Sequence, residues 1–148
     1  NIPSIVDPKG SDWQKYRGAS TISPNLKELG EALNRTVKNS DDEIVAAARE
    51  IIKKYDIEKV LTTRSEQGMT LVSRADHFHS TTQKIEVYDV SGAGDTVVTM
   101  IGLTSGMDMS VEEQLNLANA AAGIVVGKVG TVPITHEELK AVLLKDKT

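Results

Sequence analysis

The sequence predicts an α/β fold, and three observations carry that prediction. Helix-start signals recur along the chain, short β-type runs separate the helical stretches, and a glycine-rich turn joins one β-type run to an apolar helix. Ile2 to Val6 is an apolar run closed by Asp7-Pro8 and Gly10, so it reads as a strand ending in a loop. Thr21-Ile22 is a second, very short strand. Ser23-Pro24 then reads as a helix start, with Ser23 as N-cap and Pro24 at the first helical position. Leu26, Leu29 and Leu33 follow at helical spacing.

Three capping boxes, Ser40/Glu43, Ser110/Glu113 and Thr135/Glu138, announce further helices, because a Ser or Thr and a Glu three residues on can satisfy each other's backbone donors. The first opens a helix with Ile44, Val45, Ala48, Ile51 and Ile52 on one face, and the last carries Leu139, Val142 and Leu143. Lys59 to Thr63, Met69 to Ser73 and Lys84 to Val87 are the β-type runs between them, with Gln67-Gly68 turning the first into the second.

The chain has 148 residues, with 17 Lys+Arg against 21 Asp+Glu and a net charge of −4. With 39% hydrophobic and 26% charged residues it has the composition of a globular protein with a core. No basic run points to nucleic acid, and no apolar stretch approaches the length of a membrane span. The absence of Cys excludes disulfides, thiolate zinc sites and a Cys nucleophile, and fits a reducing cytoplasm.

The densest candidate chemistry is Asp89-Val90-Ser91-Gly92-Ala93-Gly94-Asp95-Thr96, followed by the apolar helix containing Val97, Val98, Met100, Ile101 and Leu103. Two glycines let the backbone turn sharply, so that successive N–H groups and a helix N-terminus face one concavity that suits an anion. Asp95 falls on the first helical turn. A carboxylate beside a bound phosphate is unfavourable unless it takes a proton from an attacking hydroxyl. Spacing alone leaves this open against a plain glycine-rich connection with Asp95 as a dipole-favoured cap.

Two nucleotide motifs are excluded. Gly92 to Val97 lacks the third glycine of a dinucleotide fingerprint, while Gly123 to Lys128 is one residue short of a P-loop, with Val129 where a magnesium-binding hydroxyl belongs. Gly123 and Gly127 read instead as small residues on one helix face. Asn25 and Glu28 share a face at a helix start, where oxygen ligands would suit a hydrated Mg²⁺, although a solvated helix start explains the pair alone. His77 and His79 share a strand face without a third ligand nearby and read as part of an exposed hairpin. His136 reads as a surface residue.

Asp89 to Asp95 resembles the second signature of the ribokinase/phosphofructokinase-B sugar kinases, and Asn25-Leu26-Lys27-Glu28 is similar to their Asn-x-x-Glu motif. The stretches Val6 to Gly10, Tyr16 to Ala19, Thr63-Arg64-Ser65-Glu66-Gln67-Gly68-Met69 and Ala118 to Lys128 extend the resemblance over most of the chain. Ser65, where many relatives carry Gly, points to the heptose 7-phosphate kinase branch.

The resemblance implies the C-terminal half of a three-layer αβα fold with a mixed, mostly parallel sheet flanked by helices. It implies Asp95 as catalytic base and Gly92, Ala93 and Gly94 as the anion hole. Arg64, Ser65, Glu66 and Gly68 would form a loop near the nucleotide phosphates, and Asn119 would lie on a helix lining the adenosine pocket. Asn25 and Glu28 would organise Mg²⁺ through water, while Asp89 and Ser91 fall where relatives place a monovalent cation such as K⁺. ATP and a sugar phosphate are then the small-molecule partners, with no nucleic acid or membrane involved. Another sugar kinase of the family and a non-catalytic nucleotide-binding module are the competing readings. The apolar start without Met reads as a cut through a sheet, with the earlier half, its sugar lid and a nucleotidyltransferase domain lacking. A cut sheet predicts a homo-oligomer and little turnover by the chain alone.

Overall fold

β-branched runs too short to be helices pair through intervening helices, and the architecture follows from that alternation. The computed structural model describes residues 2–82 and 87–145. It divides into two compact units, Asn1–His79 and Ser80–Thr148.

In the first unit β1 (Ile5–Val6) and β2 (Thr21–Ile22) pair in parallel, Ile5 opposite Thr21. The chain then passes through α1 (Leu26–Leu33) and α2 (Asp41–Tyr55) before β3 (Lys59–Thr63) joins β2, again in parallel. Parallel neighbours need such a crossover. β4 (Met69–Ser73) folds back antiparallel on β3, with Thr63 opposite Met69, and β5 (His77–Ser80) completes the order β1-β2-β3-β4-β5. The strands at Lys59–Thr63 and Met69–Ser73 and the tight turn between them match the sequence reading.

Ile44, Ala48, Ile51 and Ile52 of α2 bury the face their spacing predicted, against Ile22, Val60 and Val72 of the sheet and Leu29 of α1. Trp13 closes this core. Its ring is fully buried, 6.0 Å from that of Tyr55, and its indole N–H donates to the Gly10 carbonyl at 2.9 Å. A buried indole keeps its donor satisfied in this way.

The second unit holds α3 (Ala93–Thr104), α4 (Val111–Val126) and α5 (His136–Lys145). Val97 and Ile101 of α3 and Leu115, Ala118, Ala121 and Val125 of α4 are buried. The capping boxes at Ser110/Glu113 and Thr135/Glu138 both form. No helix among the described residues is long and apolar enough to cross a membrane.

Several local expectations are corrected. The opening strand is confined to Ile5–Val6, and Ile2 is 92% exposed. Asn25, not Ser23, is the N-cap of α1, because Asn25 and Glu28 close a complete capping box while the Pro24 carbonyl accepts from Thr63 N–H. Ser40 precedes α2 without a side-chain cap bond. The Glu43 carboxylate that would have completed the box accepts instead from Lys38 N–H and Arg35. Gly127 ends α4 as its C-cap, and its N–H donates to the Gly123 carbonyl one turn earlier at 3.2 Å. In the run predicted at 84–87, Lys84, Ile85 and Glu86 lie outside the described residues, and Val87 belongs to no strand.

Candidate active site

Each unit carries one of the two motif clusters. In the first, Asn25 Oδ1 accepts from Glu28 N–H and Glu28 Oε2 from Asn25 N–H, both at 2.9 Å. Glu28 Oε1 lies 3.4 Å from Lys9 Nζ, which is 2.9 Å from Asp7 Oδ2. The neighbouring Asp7 carboxylate, followed by Glu28, raises the Lys9 pKa. Each capping oxygen keeps a lone pair beyond the helix bond it accepts. An amide oxygen and a carboxylate are hard donors too few to replace a magnesium shell, and so fit an ion that keeps most of its waters. No cluster of three or more metal-binding side chains occurs among the described residues.

At the end of β3 the chain makes a one-turn helix over Ser65–Gln67 and turns on Gly68. Arg64 N–H donates to the Gly68 carbonyl at 2.8 Å, and Gln67 N–H to the Arg64 carbonyl at 3.1 Å. Ser65 has φ +52° and Gly68 φ +82° with ψ −129°. Ser65 and Glu66 are exposed, but the Arg64 side chain is 1% exposed. Its guanidinium, expected near a nucleotide, is bonded inside the protein to Asn39, Asp41, Thr70 and Gln67. Arg64 holds the Asp41 carboxyl below its ordinary pKa, chiefly through the hydrogen bond between them. These partners escaped the sequence reading. Asn39 and Asp41 lie more than twenty residues upstream, and no local spacing signals a pairing that only the β2–β3 crossover creates.

In the second unit Asp89 organises the glycine-rich turn. Asp89 Oδ1 accepts from Ser91 N–H at 2.9 Å and Oδ2 from Gly130 N–H at 3.2 Å, and the Asp89 pKa is lowered, mainly by the Ser91 backbone. Gly92 is the N-cap of α3 with φ +82°, and the Thr96 N–H and hydroxyl both donate to its carbonyl. Ala93 N–H donates to the Val90 carbonyl at 3.3 Å, within the turn. The next two amides, of Gly94 and Asp95, lie on the first turn, where an α-helix has no carbonyl of its own to offer. Asp95 is exposed there. Asn119 of α4 is buried, and its Nδ2 donates to the Ser80 carbonyl at 3.0 Å and to Ser80 Oγ at 2.6 Å. That amide orients Ser80. A helix N-terminus with a carboxylate one turn in can bind an anion and accept a proton beside it.

The chain is 48% identical over 140 residues to the bifunctional protein HldE of Vibrio parahaemolyticus, covering 94% of this chain and 29% of that protein. It is 49% identical over 143 residues to the bifunctional protein HldE of Mesorhizobium japonicum, covering 97% and 29%. The chain thus spans less than a third of the length of these curated relatives. Among solved structures, phosphofructokinase-2 from Escherichia coli in complex with potassium matches with a TM-score of 0.85 at 23% identity, over 99% of this chain and 48% of that one. That likeness shows the ribokinase-like fold. The family model for pfkB family carbohydrate kinases matches residues 1–138, and the chain belongs to that family.

Proposed function

We propose that the chain is the C-terminal part of a kinase domain that phosphorylates D-glycero-β-D-manno-heptose 7-phosphate at its C1 hydroxyl, giving the 1,7-bisphosphate for ADP-heptose and lipopolysaccharide core synthesis. The observation that carries the phosphotransfer is the exposed Asp95 carboxylate on the first turn of α3, directly after the Gly92–Gly94 bend. The HldE relatives and the Thr63–Met69 stretch support the heptose branch.

Asp95 takes the proton of the acceptor hydroxyl as its oxygen bonds to the γ-phosphorus of ATP. The bond from that phosphorus to the β–γ bridging oxygen breaks, and ADP leaves. The backbone N–H groups of the Gly92–Gly94 turn stabilise charge on the transferring group. Most of the acceleration comes from positioning and electrostatics. Ser65, Glu66 and Gly68 approach the nucleotide phosphates, and α4 around Asn119 lines the adenosine pocket. Asn25 and Glu28 would hold Mg²⁺ through water, and that ion would neutralise phosphate charge. Asp89 and Ser91 are the side chains assigned to a monovalent cation. The reaction belongs in the cytoplasm.

Exposed Val87, Tyr88, Val90 and Val129 support self-association. The test is phosphotransfer from ATP to a panel of sugars and sugar phosphates, run with the gene's full-length product and with this chain. Preference for the heptose 7-phosphate is expected from the former and little turnover from the latter. Preference for ribose or a fructose phosphate would replace the substrate, and absence of transfer to every sugar would remove the kinase reading.

A further inference from the structure

The loop at residues 64–68 lies next to a guanidinium that looks, in sequence, like a phosphate ligand. Its surroundings give it other work. Arg64 Nε donates to Asn39 Oδ1 at 2.8 Å, Nη1 to Asp41 Oδ1 at 2.6 Å and Thr70 Oγ1 at 3.0 Å, and Nη2 to Gln67 Oε1 at 2.9 Å. Four of its five N–H donors are therefore used. Thr70 Oγ1, having accepted from Arg64, has its own hydrogen to give to His79 Nδ1, 3.0 Å away. With its side chain 1% exposed, the guanidinium could reach a phosphate only by leaving these partners.

What the partners share is the turn. Asn39 and Asp41 fix the guanidinium to the start of α2, Thr70 fixes it to β4, and from there Nη2 reaches Gln67 within the turn itself. The Arg64 backbone closes the same turn through Gly68 and Gln67. The turn needs restraint, because Ser65 sits in the left-handed region at φ +52°, which side chains rarely occupy.

We propose that Arg64 is a positioning residue. Its guanidinium clamps the Ser65–Gly68 turn to α2 and β4, so that the turn's backbone, not the arginine, meets the nucleotide phosphates. The proposal rests on the nucleotide reading of this turn. The alternative, direct phosphate binding by Arg64, makes the opposite forecast for Asp41→Asn. Loss of the Asp41 charge would leave the guanidinium freer and more attractive to an anion, whereas it would loosen a clamp.

The experiment is titration calorimetry of MgATP into this chain, together with amide hydrogen exchange at residues 65–68. It uses the wild type, Asp41→Asn and Gln67→Leu; Asp41 is 70% exposed and Gln67 is exposed, so both variants leave the core intact. Both should bind MgATP roughly three- to tenfold more weakly, with faster exchange at the Gln67 and Gly68 amides and a melting temperature within a few degrees of wild type, as the loss of one part-buried contact implies. A purely structural role would move the melting temperature without the affinity. Equal or tighter MgATP binding by Asp41→Asn would overturn the clamp. If the wild type binds no MgATP, the nucleotide reading falls by itself, and unchanged exchange in both variants would then overturn the clamp as well.

Discussion

The two turns that carry the family motifs differ in where their charged side chains end up. Residues 64–68 are held around a buried guanidinium that meets five polar side chains, Asn39, Asp41, Thr70, His79 and Gln67, beside a turn that includes a left-handed serine. Residues 89–95 are held by one half-buried carboxylate and a helix start: Asp89 Oδ1 and Oδ2 accept two main-chain N–H groups, and Thr96 caps back onto Gly92. The first plan fixes shape and consumes its charged side chain. The second uses Asp89 in the same way but leaves a further carboxylate, Asp95, exposed on the first turn of α3. A reacting carboxylate must be available, whereas a binding turn only has to be rigid, so each plan suits the work proposed for it.

The largest effect should come from the exposed carboxylate. Asp95→Asn keeps the shape and the hydrogen-bonding capacity of the helix start but removes the proton acceptor. In the full-length product kcat should fall by about 10²–10⁴, the usual contribution of a general base, with MgATP affinity within a few-fold of wild type. Turnover persisting near the wild-type rate would show that the carboxylate is only a helix-start acid and would erase the contrast between the two turns.

The glycines give a second comparison. Gly68 combines φ +82° with ψ −129°, outside the left-handed well that other residues can visit, and it is buried. Gly92 has φ +82° and ψ −2°, near that well, and a Cβ there would meet Thr131 Cγ2 at 3.5 Å, an ordinary contact. Gly92→Ala should therefore destabilise by about 1–2 kcal/mol, the left-handed penalty alone. Gly68→Ala should reach about 2–3 kcal/mol. Urea unfolding of the two variants checks the order, and an equal loss would show that the side-chain clamp adds no stiffness to the 64–68 turn.

The contrast also marks how far sequence reasoning reaches. Local order was legible: β3, β4, the turn between them and the Gly92–Asp95 helix start all follow from spacing within a dozen residues. The fate of Arg64 was not, because its acceptors Asn39 and Asp41 become neighbours only when β2 and β3 pair across two helices. The Asn25/Glu28 pair was found, but as a candidate metal pair. Its reciprocal backbone bonds show that it also starts α1, two residues later than Ser23-Pro24 indicated. Proline's fixed φ suits the approach to a helix as well as its first position, so sequence alone does not separate the two.

A smaller effect is expected from acid. Glu138 accepts from Lys128 Nζ and from Thr135 N–H, and the lysine bond, then the backbone bond, lowers its pKa to about 2. A carboxyl lowered by folding contributes stability above its unfolded pKa and loses it as pH falls through the folded value. The start of α5 should therefore loosen as pH drops from about 4.5 toward about 2. Amide exchange across α5 in Glu138→Gln should be faster at neutral pH and should lose this acid dependence. An unchanged profile would show that the contact does not hold α5.

The smallest expected difference separates two helix starts that look alike in sequence. Ser110 accepts from Glu113 N–H at 3.2 Å while Glu113 returns to Ser110 N–H at 2.8 Å, so the box at α4 is complete. Ser40 has the same spacing to Glu43 and the extended backbone of an N-cap, but its hydroxyl makes no cap bond. The difference lies in what else reaches the glutamate. Arg35 and Lys38 N–H, from the connection between α1 and α2, both approach Glu43 Oε2. Ser110→Ala should lose about 1 kcal/mol in urea unfolding, the ordinary value of an N-cap, and Ser40→Ala only a few tenths. Equal losses would mean that Ser40 caps α2 in solution and that Glu43 leaves Lys38 to join it. The start of α2, which supplies Asp41 to the Arg64 clamp, would then be held by its own cap and not by the α1–α2 connection.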